Sequence, residues 1–100
     1  MSYGRAHAKL SEAIEAMAIS AQHTIQQRLA IAHMFHLRSV EPYELPSEVQ
    51  SEFKELQDKL TRIPAIFATP SSMSTQEGIE IAKELVRISR IVAEHHRVGF

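Results

Sequence analysis

Cysteine and tryptophan are absent from this chain, and only three of its 100 residues are glycine. Without cysteine there is no disulfide, no thiolate nucleophile and no cysteine-ligated zinc. With so little glycine, neither Gly-x-Gly-x-x-Gly nor the Walker phosphate loop can be written anywhere in the sequence. Aromatic residues make up only 6% of the chain, too few for a base-stacking platform. These absences exclude several classes of enzyme and of nucleotide-binding protein.

An excess of positive charge is also missing, since the formal net charge is −1. Binding to phosphate backbones depends on surplus lysine and arginine, so the sequence argues against a nucleic-acid partner. The most apolar stretch, residues 17–37, is interrupted by glutamine, histidine and arginine, which predicts no membrane span. Residues 1–7 lack the apolar run of a secretory signal, and we therefore expect a cytoplasmic protein.

The composition, 44% hydrophobic and 23% charged, is that of a globular protein. We predict a single domain over residues 1–100, built as an all-α bundle of three main helices. The helices are expected at about residues 8–38, 47–63 and 75–97, with the long first helix at the centre. A short fourth helix near Ile66 also fits the pattern.

The predicted first helix contains no proline or glycine and has a continuous apolar stripe. The stripe comprises Leu10, Ile14, Met17, Ala18, Ala21, Ile25, Leu29, Ala32 and Phe35. Further apolar side chains, Ile19, Ile31, Met34 and Leu37, fall outside this stripe, and no acidic residue occurs between Ala16 and Val40. A helix so poor in charge is covered on more than one face, by other helices or by a second copy of the chain. We predict a partner or dimer surface formed by Ile19, His23, Ile31 and Met34.

The later helices are marked by prolines and by a capping box. Residues 39–46 contain Pro42 and Pro46 and are expected to form an extended connection. The apolar seam of the second helix is Val49, Phe53, Leu56, Leu60 and Ile63. Ser74 and Glu77 form a Ser-x-x-Glu capping box that predicts the start of the last helix, and Gly99 is placed to end it. The main stripe of that helix is Ile81, Leu85, Ile88 and Val92.

Six histidines make metal binding one alternative. His33 and His36 are three residues apart, which places them on one face of a helix, and imidazole is a common metal ligand. However, neither Glu-x-x-His nor His-Glu-x-x-His occurs in the chain. We expect His33 and His36 to occupy polar positions on a crowded helix, and we expect no bound metal and no cofactor.

A second alternative is a helical nuclease formed across a dimer. Arg28 with His33, and Arg90 with His95, match the Arg-x(4–6)-His spacing of such enzymes, in which arginine holds a phosphate and histidine transfers a proton. The resemblance is to a motif of six residues and not to a family. The residue after each arginine is apolar, where those enzymes carry a polar one.

Charge is distributed unevenly along the chain. Residues 41–58 carry a net −5 (six acids, one lysine), whereas residues 16–40 and 85–100 each carry +2. We expect the acidic helix to lie beside the basic segments within one chain, with steering of a charged partner as the alternative. With no catalytic site assembled in the sequence, we favour a small interaction or regulatory module, either adaptor, inhibitor or structural component, that binds a protein partner and forms a homodimer.

Overall fold

The computed structural model describes residues 3–19, 22–61 and 74–98. Within these ranges the chain is mostly helical, with short turns and connections and without a β-strand, as predicted. The α-helices are α1 (Gly4–Ile19), α2 (Ile25–Phe35), α3 (Ser47–Thr61) and α4 (Thr75–Val98), and 3₁₀ turns occur at Leu37–Ser39 and Pro42–Glu44. The predicted positions Ile63, Ile66 and Gly99 lie outside the described residues.

The predicted single helix over 8–38 is wrong, because the structure has two helices there. Thr24 has an extended backbone and acts as the N-cap of α2. Its hydroxyl accepts a hydrogen bond from the Gln27 backbone N–H at 3.1 Å, and its own N–H donates to Gln27 Oε1 at 3.0 Å. These two bonds form a capping box, the same device that starts α4. The apolar pattern of the sequence therefore continues through the segment between α1 and α2, where the helix is interrupted.

The segment between α2 and α3 includes residues 39–46, which were predicted to be extended. It contains two 3₁₀ turns, of which Pro42–Glu44 lies within 39–46, and it contributes to the core. Leu37, Val40 and Leu45 are almost fully buried. The Gln57 amide of α3 donates to the carbonyl oxygens of Leu37 at 3.2 Å and of Val40 at 2.8 Å. Since buried carbonyl groups need hydrogen-bond partners, these bonds allow an irregular segment to lie inside.

Two helices, α2 and α4, each contact the other three α-helices, and α2 belongs to the segment that the sequence analysis placed at the centre. The longest described helix is α4, with 24 residues. At its N-terminal end Gly78 lies close to Ile25 of α2, such that an added Cβ atom would come within 2.9 Å of the Ile25 side chain. The predicted stripes of the last two helices are buried: Val49, Phe53, Leu56, Leu60, Ile81, Leu85, Ile88 and Val92. Burial of each such side chain stabilises the fold by about 1.5–3 kcal/mol.

The acidic helix α3 packs beside α4, as predicted for the basic segment 85–100. Glu52 forms an ion pair with Arg87, and Glu48 contacts His95 Nε2. A third acid, Glu44, accepts from Arg5 of α1 at 2.5 and 2.7 Å. Part of the acidic charge of residues 41–58 is thus compensated by arginines of neighbouring helices.

No helix in the described part of the chain is both long enough and apolar enough to cross a membrane.

Candidate functional site

Helix α2 presents apolar side chains to solvent as well as to the core. Leu29 and Ala32 are fully buried. Ile31 is half-buried and lies about 200° around the helix from Leu29. Met34 and Phe35 follow Ile31 by three and four residues, so they share its side of the helix. We call these three residues, Ile31, Met34 and Phe35, the α2 outer face.

Phe35 is the most exposed residue of this face, with 62% of its surface accessible, and Met34 is 44% exposed. The continuous stripe in the sequence had placed Phe35 and Ala18 in the core, and both are exposed. For Phe35 the reason is the interruption before Thr24, because a stripe counted through a break in a helix loses its register. The signal that could have located the break is the Thr-x-x-Gln sequence of the capping box.

The predicted partner surface is distributed over three parts of the structure. Ile31 and Met34 belong to the α2 outer face. His23 lies just before α2, is half-buried, and accepts a hydrogen bond on its carbonyl oxygen from Arg28 Nε at 3.1 Å. The Ile19 side chain lies outside the described part of the structure. The structure therefore brings together two of the four predicted residues and adds Phe35, which the sequence analysis had assigned to the core.

A surface pocket of about 280 Å³ lies between the end of α2, the following turn and α3. Polar and charged groups from all three segments meet in it. Its lining residues are His33, Arg38, Val40, Glu41, Gln57, Asp58 and Thr61. A pocket of this size is at the lower end of the range for small-molecule sites.

His33 is the most deeply placed titratable group of the pocket and is half-buried. Burial and, secondarily, the Arg38 guanidinium lower the pKa of His33 from its ordinary value. Both effects disfavour the imidazolium form, since one removes water and the other adds a like charge. At neutral pH the imidazole is therefore neutral, with one ring nitrogen that donates and one that accepts.

The two predicted arginine–histidine pairs do not share helix faces. Arg28 and His33 both lie on α2, and Arg90 and His95 both lie on α4. Residues five apart in an α-helix point about 140° away from each other. The structure instead places His33 beside Arg38, which follows it by five residues and comes from the turn beyond the end of α2. The sequence analysis missed this pair because it considered only arginines that precede a histidine.

His33 and His36, the predicted metal-binding alternative, face different neighbours. Helix α2 ends at Phe35, and the His36 backbone is no longer helical. His36 Nδ1 lies 3.4 Å from Glu12 Oε1 of α1, in a direction that makes no hydrogen bond. Among the described residues, no three histidine or acidic side chains are grouped closely enough to hold a metal ion.

Histidines and a tyrosine also connect the N-terminal end of α1 with the C-terminal end of α4. The rings of His7 and His96 stack with centroids 4.9 Å apart, and Tyr3 meets His95 edge-on at 5.9 Å. His95 also contacts Glu48. Each of these four rings is thus engaged in helix packing, which accounts for two neighbouring histidines at one helix end.

No protein-family model, curated protein or solved structure matches this chain. Function must therefore be argued from the described residues alone. Two features stand out for this purpose, namely the α2 outer face and the pocket around His33.

Proposed function

We propose that the chain is a small protein-interaction module that forms a homodimer through the α2 outer face. The observation that carries the proposal is the exposure of Met34 and Phe35 on a helix whose opposite side is already buried in the core. Methionine and phenylalanine are enriched at protein interfaces, where they supply apolar area and adapt to a partner's shape.

The composition of the face suits a second copy of itself. None of Ile31, Met34 and Phe35 carries a charge, and α2 contains no acidic residue; Arg28, three residues before Ile31, lies on the same side of the helix at its N-terminal end. When two identical faces meet about a two-fold axis, each residue approaches its own kind or a near neighbour, so a charge at the centre would meet a like charge. An uncharged face avoids this repulsion and the cost of burying an unpaired ion.

The charge of the whole chain supports the same partner. A net charge of −1 produces almost no long-range repulsion between two copies. A basic partner would gain little from this face, because steering needs opposite charge at the contact and α2 has no acidic group. We also propose a cytoplasmic location, since a chain without cysteine has no need of an oxidising compartment.

The test is the subunit count of the purified chain and of Met34→Glu and Phe35→Glu variants. We expect the natural sequence to sediment as a dimer at micromolar concentration and both variants as monomers, because each would place a carboxylate in a desolvated contact. Analytical ultracentrifugation over a dilution series, with native mass spectrometry, gives the count directly.

The matched control is Val86→Glu, which introduces the same charge at an exposed apolar position of α4. This variant should remain a dimer with the affinity of the natural sequence. Circular dichroism of each variant establishes that the helices persist. A chain that is monomeric at every concentration overturns the proposal, as does a dimer that survives both substitutions on α2.

A further inference from the structure

The pocket around His33 contains charged groups of both signs that no other described side chain neutralises. In the described part of the structure, Arg38 and Asp58 both line the pocket, and neither forms an ion pair. Glu41 adds a second carboxylate at the same rim. In the described structure, Arg38 and Asp58 thus lie in one concave site, where each can pair with a charged group of a ligand.

We propose that this pocket binds a small zwitterion of the α-amino-acid class, whose carboxylate pairs with Arg38 and whose ammonium group pairs with Asp58 and Glu41. Guanidinium presents a planar fork of N–H donors that matches a carboxylate. Carboxylates accept hydrogen bonds from each of the three ammonium protons. The volume, about 280 Å³, suits a ligand of amino-acid size better than a nucleotide or a peptide.

The neutral form of His33 fits this ligand. A protonated imidazole would add a second cation beside Arg38, whereas the neutral ring contributes one donor and one acceptor without changing the charge of the site. The lowered pKa of His33 keeps the ring in that form.

Two other ligand classes fit the charges less well. A phosphate group would meet Arg38 but would be repelled by the carboxylates of Asp58 and Glu41. A divalent cation would need several of the histidine and acidic groups to converge, and among the described residues no three of them do so. A ligand with both charges uses the cationic and the anionic groups together.

The experiment compares three probes that differ by one charged group. L-valine has both groups, isovalerate lacks the ammonium group, and isobutylamine lacks the carboxylate. Each is titrated into the full chain at neutral pH while the imidazole C–H signals of His33 are followed by NMR. We expect L-valine to shift these signals saturably and each single-charge probe to bind about tenfold or more weakly, since each forfeits one charge-assisted contact.

Variants locate the site. Arg38→Ala and Asp58→Asn should each weaken binding of L-valine about tenfold or more. The matched controls, Arg90→Ala and Glu94→Gln, remove the same charges from exposed positions of α4 and should leave binding unchanged. Thermal unfolding followed by circular dichroism establishes that every variant is folded.

Three results would overturn the inference. The first is no saturable shift with L-valine, and the second is binding that survives both Arg38→Ala and Asp58→Asn. In the third, isovalerate or isobutylamine binds as tightly as L-valine, which would make the pocket a site for a simple anion or a simple amine. Because the α2 outer face is not part of the pocket lining, the subunit count and this titration succeed or fail independently.

Discussion

Thr24 and Gln27 exchange hydrogen bonds, each side chain with the other residue's backbone N–H, at the first turn of α2. The exchange satisfies two backbone donors that a helix N-terminus otherwise leaves unpaired. It also marks where α2 begins after the interruption that follows α1. The direction of α2, and hence the exposure of Met34 and Phe35, depends on this short segment.

Loss of the Thr24 hydroxyl should therefore destabilise the fold. We expect Thr24→Ala to lower the free energy of unfolding by about 1 kcal/mol, within the usual range for N-cap substitutions. Urea denaturation followed by circular dichroism gives this value. Thr24→Ser should restore most of it, while Ser51→Ala, at an exposed position inside α3, should change stability by less than about 0.5 kcal/mol. Equal effects of Thr24→Ala and Ser51→Ala would argue against the cap.

Phe53 should be among the costliest positions to truncate. Its side chain is fully buried and belongs to the main core cluster with residues of α4. We expect Phe53→Ala to lower the free energy of unfolding by about 3–5 kcal/mol, from lost transfer energy and from the cavity left behind. In chemical denaturation, Val86→Ala on the exposed side of α4 serves as the comparison and should cost less than about 1 kcal/mol. A small effect at Phe53 would mean that the site collapses around the cavity.

Glu44 should make stability depend on acid pH. Burial acts to raise the pKa of Glu44, but hydrogen bonds from the Glu41 N–H and from Arg5 outweigh it, and the net pKa is lowered. A carboxyl group with a lowered folded-state pKa stabilises the fold above its ordinary value of 4.5, and that contribution is lost as the pH falls through the folded-state pKa. As the pH falls from about 6 to about 3, the free energy of unfolding should decrease less for Glu44→Gln than for the natural sequence. Urea titrations at each pH measure this difference. Identical pH profiles would contradict the assignment.

His33 should make stability fall at mildly acidic pH. Because burial and Arg38 lower its pKa, the unfolded chain takes up a proton at His33 more readily than the folded chain does. The contribution of His33 to the free energy of unfolding is therefore greatest above pH 6.5, the ordinary pKa of histidine, and decreases as the pH falls below that value. Unfolding curves between about pH 7.5 and about pH 5 should show a shallower pH dependence for His33→Gln, whereas His23→Gln should retain the contribution of His33. A slope unchanged by His33→Gln would show that the residue is not the source.

The sequence predicted α3 and α4 well because their local signals agree with their packing. In each helix the apolar residues alternate at spacings of three and four, and one such stripe suffices to cover one side of a helix. The Ser74–Glu77 capping box also formed as predicted. The acidic character of α3 predicted a basic neighbour, and Glu52 meets Arg87 of α4.

Less of the two candidate sites could be predicted from the sequence. Met34 and Ile31 could be singled out because they fell outside an apolar stripe, but Phe35 fell on that stripe and was assigned to the core. The pocket joins His33 and Arg38 to Asp58 of α3, and such a meeting depends on how the chain turns between helices. Periodicity describes one helix at a time and carries no information about that turn.

By itself, then, the sequence determined that the chain is helical and which sides of α3 and α4 are buried. Helix periodicity and capping act over a few residues, and burial follows from them directly. Tertiary structure decided that α2 and α4 each contact the other three α-helices, that Phe35 is exposed and that His33 shares a pocket with Arg38 and Asp58. These features depend on the direction in which each helix leaves its turn, which is set by the packing of the whole core and by contacts between residues far apart in the chain.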